Sequence, residues 1–442
     1  MEVSRIRALR GPNLWSRHTA IEAIVSCDDA ERRIGNLAGF EDRLRARFPE
    51  IGFLAPTSHA EDLAMAHALE FAALGLQAQA GCPVTFGRTT ATVEPGIYQV
   101  VVEYSEEAVG RLAFELAEQL CRAALEDFAF DATAAIDRLR ELDEDERLGP
   151  STGAIVQAAV ARGIPNRRLT SGSLVQFGWG SRQRRIQAAE TDRSSAIAEA
   201  IAQDKELTKK LLRAGGVAVP RGRPVHDAED AWRAAREIGG PVVVKPQDGN
   251  QGKGVAVNME TREQVLAAYA VAAEFGSSVL VESCLPGQDY RMLVVGDRLI
   301  AAARRDPPQV FGDGAHTIRQ LVDQVNADPR RGTGHATSLT KIRFDDIALA
   351  TLAKQRFDAD SVPPRGARVV LRNNANLSTG GTATDVTDDV HPDLAAAAVA
   401  AAQMVGLDIC GIDVVCDSVL VPLEDQGGGI VEVNAAPGLR MH

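Results

Sequence analysis

Three oxygen-bearing side chains interrupt two apolar strands near the end of the chain. Asp413 lies in "CGIDVVCD", and Glu432 and Asn434 alternate with valines in "IVEVNAAPG". The period of two in a strand places Glu432 and Asn434 on one face. Oxygen ligands from neighbouring strands suit Mg²⁺, which keeps several waters and bridges substrate phosphates. A half-solvated sheet face is the alternative, but Asp, Glu and Asn are depleted in strands, and the pattern favours a magnesium site.

A second stretch, "VVVKPQDGNQGKGV", combines a lysine with a glycine-rich loop. An apolar strand delivers Lys245, and Gly249, Gly252 and Gly254 follow before the chain returns to strand. Glycines let backbone N–H groups approach phosphate oxygens, and lysine adds a positive charge for the same oxygens. No helix follows and no GxxxxGK[ST] is present, which excludes a P-loop. The pattern predicts a lid over a nucleotide, with an ordinary glycine-rich hairpin as the alternative.

A third stretch, "LVESCLPGQDYRMLVV", places Glu282 at the end of a strand, with Asp289 and Arg291 shortly after it. A strand that turns into a loop can offer backbone groups to an adenine, and a carboxylate beyond it can accept from ribose hydroxyls. Arg291 would return toward the phosphates, where a planar guanidinium suits anionic oxygens. A hairpin with a solvated ion pair is the alternative.

The elements around these stretches indicate two domains. The strands "AIEAIVS" and "YQVVVEY" and two long apolar-periodic helices, the first closing at Gly81, predict a small α+β domain. The charged segment "IDRLRELDEDERLGPST" ends in Gly-Pro and marks a boundary region. We therefore expect an N-terminal domain over residues 1–160 and a second domain of alternating strands and helices over 161–442.

Composition narrows the function classes. The chain has 442 residues, a net charge of −12 and 45% hydrophobic residues, which is typical of globular domains and argues against a nucleic-acid partner. Its six cysteines show no CxxC pair and no zinc spacing. The N-terminal segment has no signal-peptide core, and no apolar run is long enough to cross a membrane. We expect a cytoplasmic protein with no membrane partner.

Taken together, the motifs resemble those of an ATP-grasp ligase. "QDKELTK" with Lys205, "VVVKP" with Lys245, the glycine loop, "VESCLPGQDYR", Asp413, Glu432 and Asn434 occur in the order of that family. The finer similarity is to the first half of the cyanophycin synthetase family, through "SLVQFGWGSRQRRIQAAETDRSSAIAEAIAQDKELTK", "NANLSTGGTATD" and "GGGIVEVNAAPGLRMH". The resemblance implies an α/β (α+β) chain: a small N-terminal α+β domain that binds polymer, followed by an ATP-grasp fold of two α+β subdomains.

The resemblance also implies roles for individual residues, with ATP and Mg²⁺ as cofactors. Lys205 and Lys245 would hold phosphates under a lid of Gly249, Gly252 and Gly254, Glu282 and Asp289 would face adenine and ribose, and Asp413, Glu432 and Asn434 would hold Mg²⁺. Arg291 would contact the transferred phosphoryl group. Asn376 and Ser378, in the uncharged loop "NNANLSTGGTATD", would bind the acceptor carboxylate or acyl phosphate, although such loops are also common connectors.

The implied activity is that of an ATP-dependent peptide ligase. It would activate the C-terminal carboxylate of a growing peptide as an acyl phosphate, which the amine of aspartate attacks. Two other hypotheses stay open: an ATP-grasp ligase for another amino acid or peptide, and a non-catalytic polymer-binding subunit. The family tends to form homo-oligomers, and a homo-oligomer is therefore a further expectation.

Two features depart from the family pattern. The family helix often reads HxxEH, whereas here His67 and Glu70 are followed by Phe71, so we expect no zinc site. No GxxGK[ST] occurs, so the Mur-ligase-like half that adds arginine is expected to be separate or missing, in a fragment or a natural short form. We expect two groups of arginines to lie on solvated faces, because surface charges need no special reason. They are Arg182, Arg184 and Arg185, and the pair Arg330 and Arg331.

Overall fold

A computed structural model describes residues 1–51, 63–247, 254–332 and 339–442. The chain divides into two compact units, Met1–Arg147 and Leu148–His442. The expected boundary after residue 160 lies further along the chain than this division. The reason is the helix Pro150–Ala161, which the sequence assigned to the first domain but which packs on the strand Asn166–Arg168 of the second unit.

The first unit is an antiparallel four-stranded sheet covered by helices. Its sheet has the order β1-β2-β4-β3, and the elements are β1 (Glu2–Leu9), β2 (Ala20–Ser26), α1 (Phe40–Arg47), α2 (Met65–Ala80), β3 (Gly87–Ala91), β4 (Ile97–Glu103), α3 (Glu107–Glu126) and α4 (Ala132–Glu146). Helix α2 ends at Gly81, whose φ of 95° is the left-handed cap that glycine adopts without strain, as predicted. Fully buried Leu69, Leu76, Phe114 and Leu120 join α2 and α3 in the core.

The second unit begins with helix α5 and a small antiparallel meander, and then builds a four-stranded subdomain. The meander has the order β5-β6-β7-β8, and the following sheet has the order β11-β10-β12-β9. The elements are α5 (Pro150–Ala161), β5 (Asn166–Arg168), β6 (Val175–Phe177), β7 (Arg184–Gln187), β8 (Glu190–Thr191), α6 (Ala196–Gln203), α7 (Lys205–Ala214), β9 (Gly222–Val225), α8 (Ala228–Ile238), β10 (Val242–Pro246), β11 (Ala256–Met259), α9 (Arg262–Ala273) and β12 (Val279–Ser283). Helices α8 and α9 pack on this sheet around Val242, Val244 and Val281.

The rest of the unit is organised on a five-stranded antiparallel sheet. Its order is β19-β14-β13-β20-β21, and the elements are β13 (Gln288–Val295), β14 (Arg298–Asp306), β15 (Gln309–Phe311), α10 (Ile318–Asn326), β16 (Arg331–Gly332), β17 (Leu339–Thr340), α11 (Asp346–Lys354), β18 (Arg368–Val370), β19 (Thr382–Asp385), α12 (Pro392–Val405), β20 (Ile409–Cys416), α13 (Leu423–Gln426) and β21 (Gly429–Asn434). A smaller apolar cluster joins α10, α11 and the β15–β18 pair. The expected α+β subdomains of the second unit are therefore present.

The five-stranded sheet has one apolar and one charged face. Met292, Ile412 and Val433 are fully buried and pack with helix α12. Because successive side chains of a strand point to opposite faces, Arg291 and Asp413, which neighbour Met292 and Ile412, lie on the other face. The sheet thus separates the hydrophobic core from a charged surface.

Candidate active site

The charged face is assembled by strand register. Arg291 on β13 pairs with Asp413 on β20, and Asp413 pairs in turn with Glu432 on β21. The Arg291 guanidinium donates to both carboxylate oxygens of Asp413, with 3.2 Å between Nη2 and Oδ2. Burial works against the charge of Arg291, but Asp413 outweighs it and raises the pKa of the guanidinium. The structure therefore brings together three residues that the sequence predicted for the site.

Arg305 is a second buried guanidinium on this face. It pairs in register with Asp289, and its Nη atoms lie 3.8 Å from Asp289 Oδ1 and 3.5 Å from Asp413 Oδ1. Its side chain is 9% exposed, and its Nε atom has no hydrogen-bond partner in the described part of the chain. Burial raises the pKa of Asp289, with Arg305 opposing that change. Asp289 thus lies with the arginines of the charged face.

The proposed magnesium ligands lie at neighbouring positions. Glu432 and Asn434 alternate on β21, and Asn434 pairs with Gly411 and donates to its carbonyl at 3.4 Å. Asp413 is held by the two arginines, and Glu432 Oε1 lies 3.5 Å from Lys205 Nζ. Over the residues with described structure, no group of three or more His, Cys, Asp or Glu could hold a metal ion. Two carboxylates and one amide oxygen, completed by water, still fit the chemistry of Mg²⁺, and the ligand set stays a prediction.

A lysine–glutamate cluster lies beside this face. Glu282 on β12 binds Lys209 of α7 through Oε1 and Lys245 of β10 through Oε2, the latter at 2.7 Å. Burial and the charge of Lys245 lower the pKa of Lys209. Burial also opposes the charge of Lys245, but Glu282 raises its pKa on balance, with a smaller contribution from Glu432. The pKa of Glu282 is lowered because the two lysines outweigh its burial.

Helix α7 links the two groups of charges. Asp204 caps its N-terminus by accepting from the backbone N–H groups of Glu206 and Leu207. Lys205, the first residue of the helix, contacts Glu432, and Lys209, one turn later, contacts Glu282. Lys205 and Lys245, predicted to hold phosphates, are thus drawn toward one region of the second unit.

The predicted lid is described only in part. Strands β10 and β11 pair antiparallel and flank the loop. Gly254 has a φ of +69°, which glycine adopts without strain. A Cβ atom there would also lie 2.9 Å from Phe275 Cδ2, so both the backbone conformation and the available space favour glycine. Gly249 and Gly252 lie outside the described residues, and the lid over a nucleotide stays a prediction.

The loop with Asn376 and Ser378 leads into strand β19. A short 3-10 turn, Leu377–Thr379, follows Asn376, whose carbonyl accepts from the N–H groups of Thr379 and Gly381. Strand β19 pairs with β14 and sets Ala383 opposite Arg305. The loop therefore enters the same sheet as the charged face, and the acceptor-binding role of Asn376 and Ser378 stays a prediction.

The side chain of Arg331 is hydrogen-bonded to this loop. Its side chain is buried, and Nη1 donates to the carbonyls of Thr340 at 2.6 Å and Gly380 at 3.0 Å. Burial lowers the pKa of Arg331. The sequence expectation of a solvated arginine pair is therefore wrong for Arg331. It holds for Arg330, which is exposed and paired with Asp328.

Three residues of this site were missed by sequence reasoning. They are Lys209, Arg305 and Arg331. Lys209 follows Lys205 by four positions, the spacing of one helix face, and this signal was present in "DKELTK". Arg305 and Arg331 each have an arginine neighbour, and nothing in the local sequence says which of the two is buried.

In the first unit, the HxxE residues make local contacts. His67 Nδ1 accepts from the N–H of Ala64 and caps α2, while the Glu70 carboxylate accepts from Thr89 Oγ1 at 2.6 Å. Burial lowers the pKa of His67 and raises that of Glu70. Both side chains are thus engaged within the fold.

Both units of the chain are similar to known proteins. Residues 28–126 match the cyanophycin synthase-like N-terminal domain, and residues 203–304 match the ATP-grasp (A) domain of phosphoribosylglycinamide synthetase. The chain is 41% identical to cyanophycin synthetase of Trichormus variabilis over 458 residues, covering 100% of this chain and 51% of that protein. It is 42% identical to that of Synechocystis over 462 residues, covering 100% of this chain and 53% of the relative. The chain thus spans about half the length of these relatives.

A solved structure supports the fold assignment. A bifunctional glutathione synthetase from Pasteurella multocida matches 75% of this chain and 47% of its own, with 29% identity and a TM-score of 0.53. The predicted ATP-grasp architecture is therefore confirmed, as is the similarity to cyanophycin synthetases. Across the ranges with described structure, none of the helices has the length and apolar character needed to cross a membrane.

Proposed function

We propose that this chain, which belongs to the ATP-grasp ligase family, joins aspartate to the carboxylate of a peptide at the expense of ATP. The proposal starts from the similarity of the whole chain to cyanophycin synthetases. The observation that carries the proposal is the charged face on which Arg291, Asp413 and Glu432 lie on three adjacent strands. Such a surface offers both cations and oxygen ligands at one place. A reaction between two anions requires both.

The proposed reaction has two steps. An oxygen of the peptide carboxylate attacks the γ-phosphorus of ATP, the bond to the bridging oxygen breaks, and ADP leaves. The amine of aspartate then attacks the acyl carbon, phosphate leaves, and the nitrogen loses a proton as the amide forms. The carboxylate and the γ-phosphate repel each other, so most of the catalytic effect must come from positioned positive charge.

Residues of the chain supply that charge from two sides. Lys205 and Lys245 would bind phosphate oxygens, and Arg291 would contact the phosphoryl group in transfer. Asp413, Glu432 and Asn434 would hold Mg²⁺, which supplies further neutralisation at the phosphates of ATP when it is bound. The loop with Asn376 and Ser378 would bind the acceptor carboxylate through uncharged donors.

A second candidate is a ligase of the same chemistry for a different amino acid or peptide. The similarity to the bifunctional glutathione synthetase of Pasteurella multocida favours it, because that likeness covers three quarters of this chain. The two candidates share the nucleotide site and differ only in the acceptor and the amine.

Phosphate release separates the candidates. The purified chain is incubated with ATP, Mg²⁺, aspartate and a short aspartate–arginine peptide primer, and each component is omitted in turn. Release that depends on both aspartate and primer supports the proposal, and release with another amino acid in place of aspartate supports the second candidate. Glu432→Gln should lower the rate by roughly 100-fold, since it removes one charged ligand of the site, whereas Glu424→Gln at an exposed position should not change it. A fully active Glu432→Gln variant would refute the assignment of Glu432.

A further inference from the structure

Three charged side chains from three different elements meet in a buried cluster. They are Lys209 of α7, Lys245 of β10 and Glu282 of β12, with side chains 7%, 14% and 5% exposed. Charged residues are rarely buried to this extent unless they are paired. The cluster therefore has a cost in desolvation that a purely structural contact between apolar side chains would avoid.

The backbone explains how Glu282 reaches Lys245. Strands β10 and β12 are antiparallel, and Val243 lies opposite Glu282. Lys245 is two residues beyond Val243, so it projects from the same face as Glu282 and is its diagonal neighbour across the strands. This geometry allows the 2.7 Å contact between Lys245 Nζ and Glu282 Oε2.

Lys209 approaches the other oxygen of the same carboxylate from a fixed helix. Helix α7 is capped by Asp204 at one end, and Leu212, three residues after Lys209, is fully buried in the core. The backbone at Lys209 is therefore held at both sides. Lys209 contacts Oε1 and Lys245 contacts Oε2, so the fixed position of Lys209 constrains the orientation of the Glu282 carboxylate.

Two lysine amino groups share one carboxylate in the cluster. The cluster carries an excess positive charge when both lysines are protonated, a state that burial and Lys245 oppose by lowering the pKa of Lys209. An ammonium group has three donors, and the contact with Glu282 uses one of those on Lys245. A phosphate oxygen is the kind of group that would complete the cluster by accepting from Lys245.

We propose that Lys209 is a positioning residue, which orients Glu282 and through it aims Lys245 at the phosphates of the nucleotide. This inference rests on the proposed function, because it takes Lys245 to bind ATP. It gives the Glu282 carboxylate an internal role as the counter-ion of two lysines, in place of the expected position of Glu282 facing adenine.

The test compares Lys209→Met with Lys210→Met, the adjacent and exposed lysine of the same helix. Direct binding of a non-hydrolysable ATP analogue and steady-state ligation are both measured. Lys209→Met should weaken analogue binding and raise the KM for ATP roughly 10- to 100-fold, as expected for a lost charge-assisted hydrogen bond. The KM for the amino acid and the kcat should change little, and Lys210→Met should behave as the wild type. An unchanged affinity for the analogue in Lys209→Met would overturn the inference.

A double-mutant cycle decides between positioning and direct contact. If Lys209 acts through Glu282, Glu282→Gln should weaken analogue binding, and adding Lys209→Met to it should have little further effect. If Lys209 itself touches the nucleotide, the two effects should add, and the positioning role is wrong. Should Lys209→Met not fold, as judged by thermal unfolding, the milder Lys209→Gln takes its place. Binding of the analogue to the wild type is measured first. If the wild type does not bind it, the proposed function is refuted before any variant is compared.

Discussion

Arg291 and Asp413 occupy paired positions on adjacent antiparallel strands, and the guanidinium donates to both oxygens of the carboxylate. Asp413 is also approached by Arg305. One carboxylate thus offsets two buried guanidinium groups, and it is at the same time a proposed ligand of Mg²⁺. A change at Asp413 should therefore affect both the pairing of the two arginines and the proposed binding of Mg²⁺.

Asp413→Asn should damage both stability and activity. Neutralising the carboxylate leaves Arg291 and Arg305 without their shared counter-ion, which should cost roughly 3 kcal/mol in the free energy of unfolding. Urea unfolding gives the stability, and phosphate release gives the activity. Asp417→Asn, at an exposed position just after the same strand, is the control. Stability equal to that of the wild type would mean that the pairing seen here does not contribute to folding.

Arg305→Met should separate stability from activity. The Arg305 guanidinium is nearly buried. Among the residues that the structure describes, it makes only long ion pairs and its Nε has no hydrogen bond, so its removal should cost the substrate-free protein little or even stabilise it. If its free donor serves an anionic oxygen of a substrate, ligation should show a KM raised roughly tenfold or more. The neighbouring Arg304→Met removes a more exposed guanidinium paired with Asp306 and should leave KM unchanged. Equal kinetics of the two variants would contradict this prediction.

Arg331→Met should loosen the loop that carries Asn376 and Ser378. The change removes two buried hydrogen bonds from a charged donor, to the carbonyls of Thr340 and Gly380, and this loss should lower the free energy of unfolding by roughly 2 kcal/mol. Hydrogen exchange should be faster in the Leu377–Thr379 turn, and the KM for the acceptor should rise. Arg330→Met is the matched control, since Arg330 is exposed and forms an ion pair with nearby Asp328. Protection of the turn that is identical in both variants would count against the role of Arg331.

Glu70→Gln should change how stability depends on pH. Burial raises the pKa of Glu70 above its ordinary value of 4.5, with the Thr89 hydrogen bond opposing the change in part. The folded chain thus keeps a proton that the unfolded chain releases, and Glu70 destabilises the protein as the pH rises from 4.5 through the raised pKa. The variant should match the wild type below pH 4.5 and be more stable at neutral pH.

Urea unfolding at a series of pH values measures this difference. Glu115→Gln, at an exposed position of α3, is the control. A Glu70→Gln variant that is less stable than the wild type at neutral pH would mean that the ionised carboxylate stabilises the fold, and the sign of the prediction would be wrong.

Strand periodicity explains what could be predicted from the sequence. Glu432 and Asn434 alternate with valines, so their common face can be read locally, whereas the position of Asp413 beside them depends on strand register. Lys245 was found at the end of an apolar strand, and Arg291 from its position shortly after Glu282 and Asp289. The order of these motifs along the chain indicated the ATP-grasp family, which the comparisons bear out.

Long-range contacts explain what could not be predicted. Lys209 and Glu282 are 73 positions apart, and their contact depends on how helix α7 docks beside the sheet. Arg331 is buried whereas Arg330 is exposed, and Arg305 is more buried than Arg304. Strand register and neighbouring loops determine which guanidinium is covered, and neither can be read from the local sequence. The division between Arg147 and Leu148 falls within the charged segment that the sequence marks as a boundary region, but the assignment of α5 to the second unit depends on its packing against β5.

The two faces of the five-stranded sheet have a consequence for the ways in which this protein can fail. The charged residues and the apolar core alternate on the same strands, with Asp413 between Ile412 and Val414, both fully buried. A slip of one residue in the pairing of β20 would put carboxylate in the core and valine on the charged face. A chain that pairs incorrectly there would lose its hydrophobic core together with its charged surface. Burial of one face therefore specifies the register of β20 strongly, and a slipped pairing is disfavoured relative to the native one.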